Sequence, residues 1–182
     1  MPSEQTMQNI LKGIGSVITS GIGAYLALLL KDRFDRRGQS RAADLEEYKK
    51  IASLLTDTVI ATLQAPDFLA GMAKVSFHGS LNDLINAYEG NRALIFHDKN
   101  LNIQFHALYK SIEHFLEKVA ELTVPEGEPP RVTTRPRADR VYPTAETRKR
   151  SAEEAKALDD QAKELSTACR SFVDNAKGRL RT

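Results

Sequence analysis

Tryptophan is absent from this 182-residue chain, cysteine occurs once, and the other aromatics amount to seven phenylalanines and five tyrosines. The single cysteine, Cys169, excludes an intrachain disulfide framework and a multi-cysteine zinc site, and it is compatible with a reducing compartment. So few aromatics argue against stacking platforms for bases or sugars. Charge of one sign is missing too: 26 basic against 24 acidic residues leave a formal net of only +2. No global field marks the chain as a dedicated nucleic-acid binder. There is no phosphate-cradling glycine loop followed by its lysine, and the glycines at 13, 15, 21 and 23 fall inside an apolar run rather than after a strand.

That run is the first strong positive feature. Residues Gly13–Leu30 read GIGSVITSGIGAYLALLL, eighteen residues without a charge, and at helical rise they reach about 27 Å, close to the hydrocarbon thickness of a bilayer. A surface-lying helix needs a strongly charged face, and here only Ser16, Thr19 and Ser20 interrupt the apolar surface. A cleaved signal peptide, which would leave a secreted helical protein starting near Ala24, requires the apolar run to stop at the cut, yet it continues to Leu30. A transmembrane helix over 13–30 is therefore expected, after a tail of residues 1–12. Lys31, Arg33, Arg36, Arg37 and Arg41 follow it, whereas only Lys12 and the terminal amine precede it. The basic side normally stays in the cytoplasm, so the expected orientation in an inner or plasma membrane is N-terminus outside and C-terminal domain inside. Gly15, Thr19, Gly23 and Ala27 recur every fourth residue, a ridge of small side chains that lets two helices approach closely in lipid.

Beyond a basic juxtamembrane collar over 31–43, residues 44–182 read as an all-α cytoplasmic domain. Leu45, Tyr48, Ala52, Leu55, Val59 and Thr62 alternate at three and four spacing and predict one helix from Asp44 to Leu63, ended by Pro66. Ser80 and Gly90 bracket a shorter helical stretch. After a cap at Asp98 or Asn100, Leu101, Phe105, Leu108, Ile112, Phe115, Val119 and Leu122 form a heptad seam that requires a partner. Ala155, Leu158, Ala162, Leu165, Cys169, Phe172 and Ala176 repeat in the same way, alternating small with large, and are expected to lie antiparallel to it in a helical bundle.

Between the seams, residues 125–144 hold five of the seven prolines and little large apolar surface, and are expected to form a long, disordered Pro/Arg-rich loop. From 131 to 150 seven basic residues face two acidic ones. Lys31, Arg33, Arg36 and Arg37, together with Arg131, Arg135, Arg137 and Arg140, are candidates for contact with anionic lipid. Phosphate binding to nucleic acid is not expected without aromatic interleaving or a recognisable nucleic-acid fold. No catalytic residue, metal ligand or cofactor is assigned. His106 and His114 stand eight apart on one helix, outside the usual metal spacing, the adjacent Asp159 and Asp160 diverge and read as a solvated face, and Cys169 on the seam reads as buried. The layout resembles that of small bacterial proteins with an N-terminal anchor, a basic collar and a helical cytoplasmic body. The functional expectation is a non-enzymatic, membrane-anchored adaptor or scaffold that binds a protein at the inner face of the membrane. The alternative is a homo-oligomeric, membrane-perturbing effector.

Overall fold

A computed structural model describes residues 38–90 and 94–180. The apolar run 13–30, its ridge Gly15, Thr19, Gly23 and Ala27, and the collar residues Lys31, Arg33, Arg36 and Arg37 lie outside the described residues. Among the described residues, no helix is long and apolar enough to cross a membrane. The chain divides into two units, residues 1–42 and 43–182, and the account below concerns the second.

Its elements are α1 (helical over 43–54 within this unit), α2 (Asp57–Gln64), β1 (Met72–Ala73), a 3-10 turn (Lys74–Ser76), α3 (His78–Tyr88), α4 (Lys99–Leu122), β2 (Val124–Glu126), β3 (Arg131–Thr133), α5 (Arg137–Val141) and α6 (Ala145–Leu180). Helix predominates, as the periodicity requires. The two seams meet: Leu101, Phe105, Leu108, Ile112, Phe115 and Val119 of α4 are buried, and so are all seven seam residues of α6. Arg179 near the end of α6 pairs with Asp98 at the start of α4 at 2.8 Å, while residues 121–123 and 150–154 share a surface at the other end, so the pair is antiparallel. Ala155, Ala162 and Ala176 leave room for the bulkier side chains opposite, and each large side chain so buried contributes about 1.5–3 kcal/mol. Two aromatic clusters sit along the interface. Phe105 meets Tyr88, Phe96 and Phe172 with centroids 5.0–5.9 Å apart, and Phe115 meets Phe68 and Phe77 at 6.2 and 6.0 Å.

Local signals set the helix ends. Asp98, in extended conformation, accepts the N–H groups of Asn100 (2.9 Å) and Leu101 (3.2 Å) and so starts α4. Thr144 accepts the N–H of Thr147 at 3.0 Å at the start of α6, whose last turn carries Lys177 and Arg179, the favourable sign for a helix C-terminus. Gly90 lies at φ +88°, in the left-handed region suited to a chain leaving a helix.

Two expectations are corrected. The helix predicted over 44–63 is two helices, broken at Leu55–Thr56. Thr56 is extended (ψ 158°) and its hydroxyl accepts the N–H of Val59 at 3.3 Å, with Asp57 in the new first turn. A new cap outcompetes continuation, and the buried face moves from Tyr48, Ile51 and Leu55 to Val59, Ile60 and Leu63. The second correction concerns the loop 125–144, which holds β2, β3 and α5. β3 pairs antiparallel with β2 on one side and with β1 on the other, with Val132 opposite both Pro125 and Met72. Although this segment cannot fold alone, it borrows partners from residues 68–74. The Thr134 N–H donates to the Phe68 carbonyl (3.1 Å) and the Lys74 N–H to that of Pro130 (3.0 Å). The Thr133 and Thr134 hydroxyls donate to the carbonyls of Leu69 (3.2 Å) and Ser151 (2.9 Å). Gly71 makes the close approach possible: at φ +97° a side chain there would be strained and its Cβ would stand 3.5 Å from that of Thr133.

The polar tie between α1 and the rest of the domain is Asp44, only 3% exposed. Its two carboxylate oxygens accept the backbone N–H groups of His97 (2.7 Å) and Asp98 (2.9 Å), and three residues further on Glu47 accepts the Tyr88 hydroxyl.

Asp44→Ala strands two N–H groups and should destabilise the fold by about 2–3 kcal/mol in chemical denaturation; a loss indistinguishable from zero would mean that the clamp is replaceable by water. In hydrogen exchange read by NMR, the amides of Thr134 and Lys74 should be protected well beyond free-peptide rates. Exchange at free-peptide rates would return residues 125–144 to the status of a structureless loop.

Candidate functional site

Backbone ladders bring the hairpin arginines into one region of the domain, next to α5 and the first turns of α6. Their side chains have different occupations. The Arg131 guanidinium donates through Nε (3.0 Å) and Nη2 to the Gly71 carbonyl, pinning β3 to the turn before β1. Arg135 is partly buried, with its Nε lacking a hydrogen-bond partner, and its backbone N–H donates to the Thr133 hydroxyl at 3.1 Å. Arg137 opens α5. Arg140 forms an ion pair with Glu126 of β2, and from α6 Arg150 reaches Asp139 (3.4 Å) and Glu154 (3.9 Å). Of the four arginines picked from this stretch, Arg131 and Arg140 thus also hold the hairpin and α5 in place.

Along the chain between Arg140 and Arg148 lie two exposed apolar side chains. Val141 and Tyr142, at the C-terminal end of α5, are 57% and 82% exposed. Arg148 leans back toward them, its Nη2 donating to the Pro143 carbonyl at 3.4 Å. Their one mark in the sequence is a Val-Tyr-Pro step between arginines, hidden by the general poverty of large apolar residues in 125–144.

Two shallow grooves flank α6. One, against α4, is lined by Ser111, His114, Phe115, Gln161, Glu164 and Leu165. The Ser111 hydroxyl donates to the Ala107 carbonyl of its own helix (3.0 Å), and His114 is exposed, with Nδ1 4.0 Å from Glu117. The other, against α2, has Arg170 donating to Gln64 at 3.0 Å.

The histidines stay apart in their roles. His78 contacts Asn82 at 2.7 Å, and burial, then Lys74, lowers its pKa; the backbone of His97 is held by Asp44. Among the described residues no group of three His, Cys, Asp or Glu side chains is placed to hold a metal ion. Asp159 departs from the solvated role expected of it. It is partly buried, its Oδ1 accepts the Phe68 N–H at 3.1 Å, and burial raises its pKa, while Asp160 is exposed.

Comparison of the chain with protein-family models, curated proteins and solved structures finds no match.

Cys169 is fully buried among the seam residues, and that burial pushes its thiol up from 9.0 to about 12. The unfolded chain releases this proton near 9.0, while the folded chain keeps it to about 12. The thiol's share of stability is therefore intact below the lower value and is lost as pH climbs toward the upper one. Burial and the Glu47 carboxylate raise the Tyr88 phenol in the same sense. Denaturation midpoints should fall across this alkaline window, and Cys169→Ala should make the fall shallower. An equally steep decline in the variant would exclude the Cys169 proton as a contributor.

Proposed function

We propose that this chain is a non-enzymatic, membrane-tethered helical adaptor whose body meets a protein partner at the inner face of the membrane. The observation that carries the reading is the charge-free run Gly13–Leu30 followed at once by Lys31, Arg33, Arg36 and Arg37. Such a run is long enough to span, and its basic flank orients the body toward the cytoplasm. The body supports an interaction role in two ways. Residues 43–182 have a core of their own, so they can present a fixed surface. The grooves along α6 are shallow and mixed in polarity, suited to side chains of a partner more than to enclosing a small molecule.

A second reading rests on the small-residue ridge Gly15, Thr19, Gly23 and Ala27. It makes the chain a homo-oligomeric effector that disturbs the bilayer through helix association.

Alkaline extraction of membranes followed by in-membrane crosslinking of a C-terminally tagged chain separates these readings. The adaptor predicts retention in the membrane pellet and a reproducible foreign protein joined to the helical body. Self-crosslinks alone, lost in Gly15→Leu and Gly23→Leu, would replace the adaptor by the effector. Release into the alkaline supernatant would reject both.

A further inference from the structure

We infer that the Val141–Tyr142 tip of α5 is a docking point for an anionic lipid surface, with Arg148 and Lys149 supplying the charge. The inference rests on the membrane reading above for the proximity of lipid and deepens it by naming the residues that touch the headgroups.

Three features of the fold converge on this assignment. First, the tip is held out, not merely left over. α5 is five residues long, too short to bury a face of its own, and ion pairs from Arg140 to Glu126 and from Arg150 to Asp139 tie it to the hairpin on one side and to α6 on the other. Between those ties Val141 and Tyr142 project into solvent. Second, the side chains suit the boundary between water and acyl chains. A phenol has an apolar body and a polar end, which is why tyrosine gathers at membrane interfaces, and an adjacent valine adds aliphatic area with no polar atom to desolvate. Third, the charge is complementary to an anionic surface. Over 137–150 there are five basic residues and two acidic ones. Arg148 and Lys149 are exposed in the first turns of α6, with Arg148 touching Pro143 beside the tip and Lys149 only loosely paired with Glu153, at 3.9 Å. A single aromatic beside an aliphatic residue favours lipid over nucleic acid, for which a row of stacking rings would be needed.

The absence of tryptophan makes a clean test available. Tyr142→Trp places the sole indole of the 182-residue chain at an exposed position where no packing is disturbed. The variant is reconstituted with vesicles of phosphatidylcholine alone, or of phosphatidylcholine and phosphatidylglycerol in equal amounts, each doped with a nitroxide-labelled lipid as quencher. The expected result is emission at shorter wavelength, with quenching, in the anionic vesicles only. Adding Arg148→Glu and Lys149→Glu should return the spectrum to that seen in neutral vesicles, since each cation near such a surface strengthens association about fivefold; unchanged far-UV circular dichroism establishes that the fold is kept.

Identical emission in both vesicle types, or a shift indifferent to the two reversals, would overturn the lipid assignment. So would a shift produced by an oligonucleotide and not by vesicles. Flotation of the same samples keeps the two readings apart. A chain that floats with both vesicle types while its indole stays in water loses the tip and keeps the anchor. A chain that floats with the anionic vesicles only, with its indole shifted there, loses the anchor and keeps the tip.

Discussion

The antiparallel contact between α4 and α6 is the constraint on which the rest of this domain depends. α4 alone is an amphipathic helix of 24 residues with a bulky apolar seam, and in water such a seam needs a partner helix. α6 supplies it with alternating alanine and large residues, so that the helices interlock. The pairing also fixes where everything else can attach. Because α6 runs back along α4, its first turns lie beside the end of α4 and beside the hairpin, while its last turn returns to Asp98. Phe68 and Phe77 then find Phe115, and Tyr88 and Phe96 find Phe105. α2 packs on α6, and α3 on α4.

Around that pair, long-range polar contacts do what local sequence cannot. Asp44 binds backbone more than fifty positions away, Asp159 caps the chain at Phe68, and the Ser166 hydroxyl donates to the Ile60 carbonyl at 3.0 Å. Each satisfies a polar group that tertiary packing has removed from water, and each fixes the register of one element on another. None adds much apolar burial. Their physical effect is specificity: apolar stripes tolerate sliding by a turn, whereas a carboxylate that must meet two particular N–H groups does not.

What was legible in the sequence follows from this division. The seams of α4 and α6, the cap at Asp98 and the buried state of Cys169 were all readable, because heptad spacing and capping are local and the core rewards them uniformly. The break at Thr56 is hidden in the sequence, since apolar spacing continues through Leu55 and Val59 and conceals a threonine that caps. Residues 125–144 conceal their structure for a related reason. Proline, glycine and arginine content correctly indicates that the segment cannot build a core, but strand pairing with residues 72–73 supplies one from elsewhere, and only the short run Val132-Thr133-Thr134 hinted at it. Asp159 looked like half of a solvated pair because nothing in its neighbourhood reveals that Phe68 will arrive beside it.

The basic stretch shows how one residue type can serve two ends. Arginine in a short hairpin is a structural device: Arg131 closes on the Gly71 carbonyl, and Arg140 bridges α5 to β2. Its net charge nevertheless remains, because an exposed ion pair neutralises only locally and the region holds more cations than anions. The surface potential and the rigidity therefore come from the same side chains. A flexible arginine-rich tail would attract anions equally well, but it could not hold Val141 and Tyr142 at a fixed place among the charges. That combination, an exposed valine and tyrosine on a short helix tied down by arginine ion pairs, is what distinguishes this surface from an ordinary solvated loop.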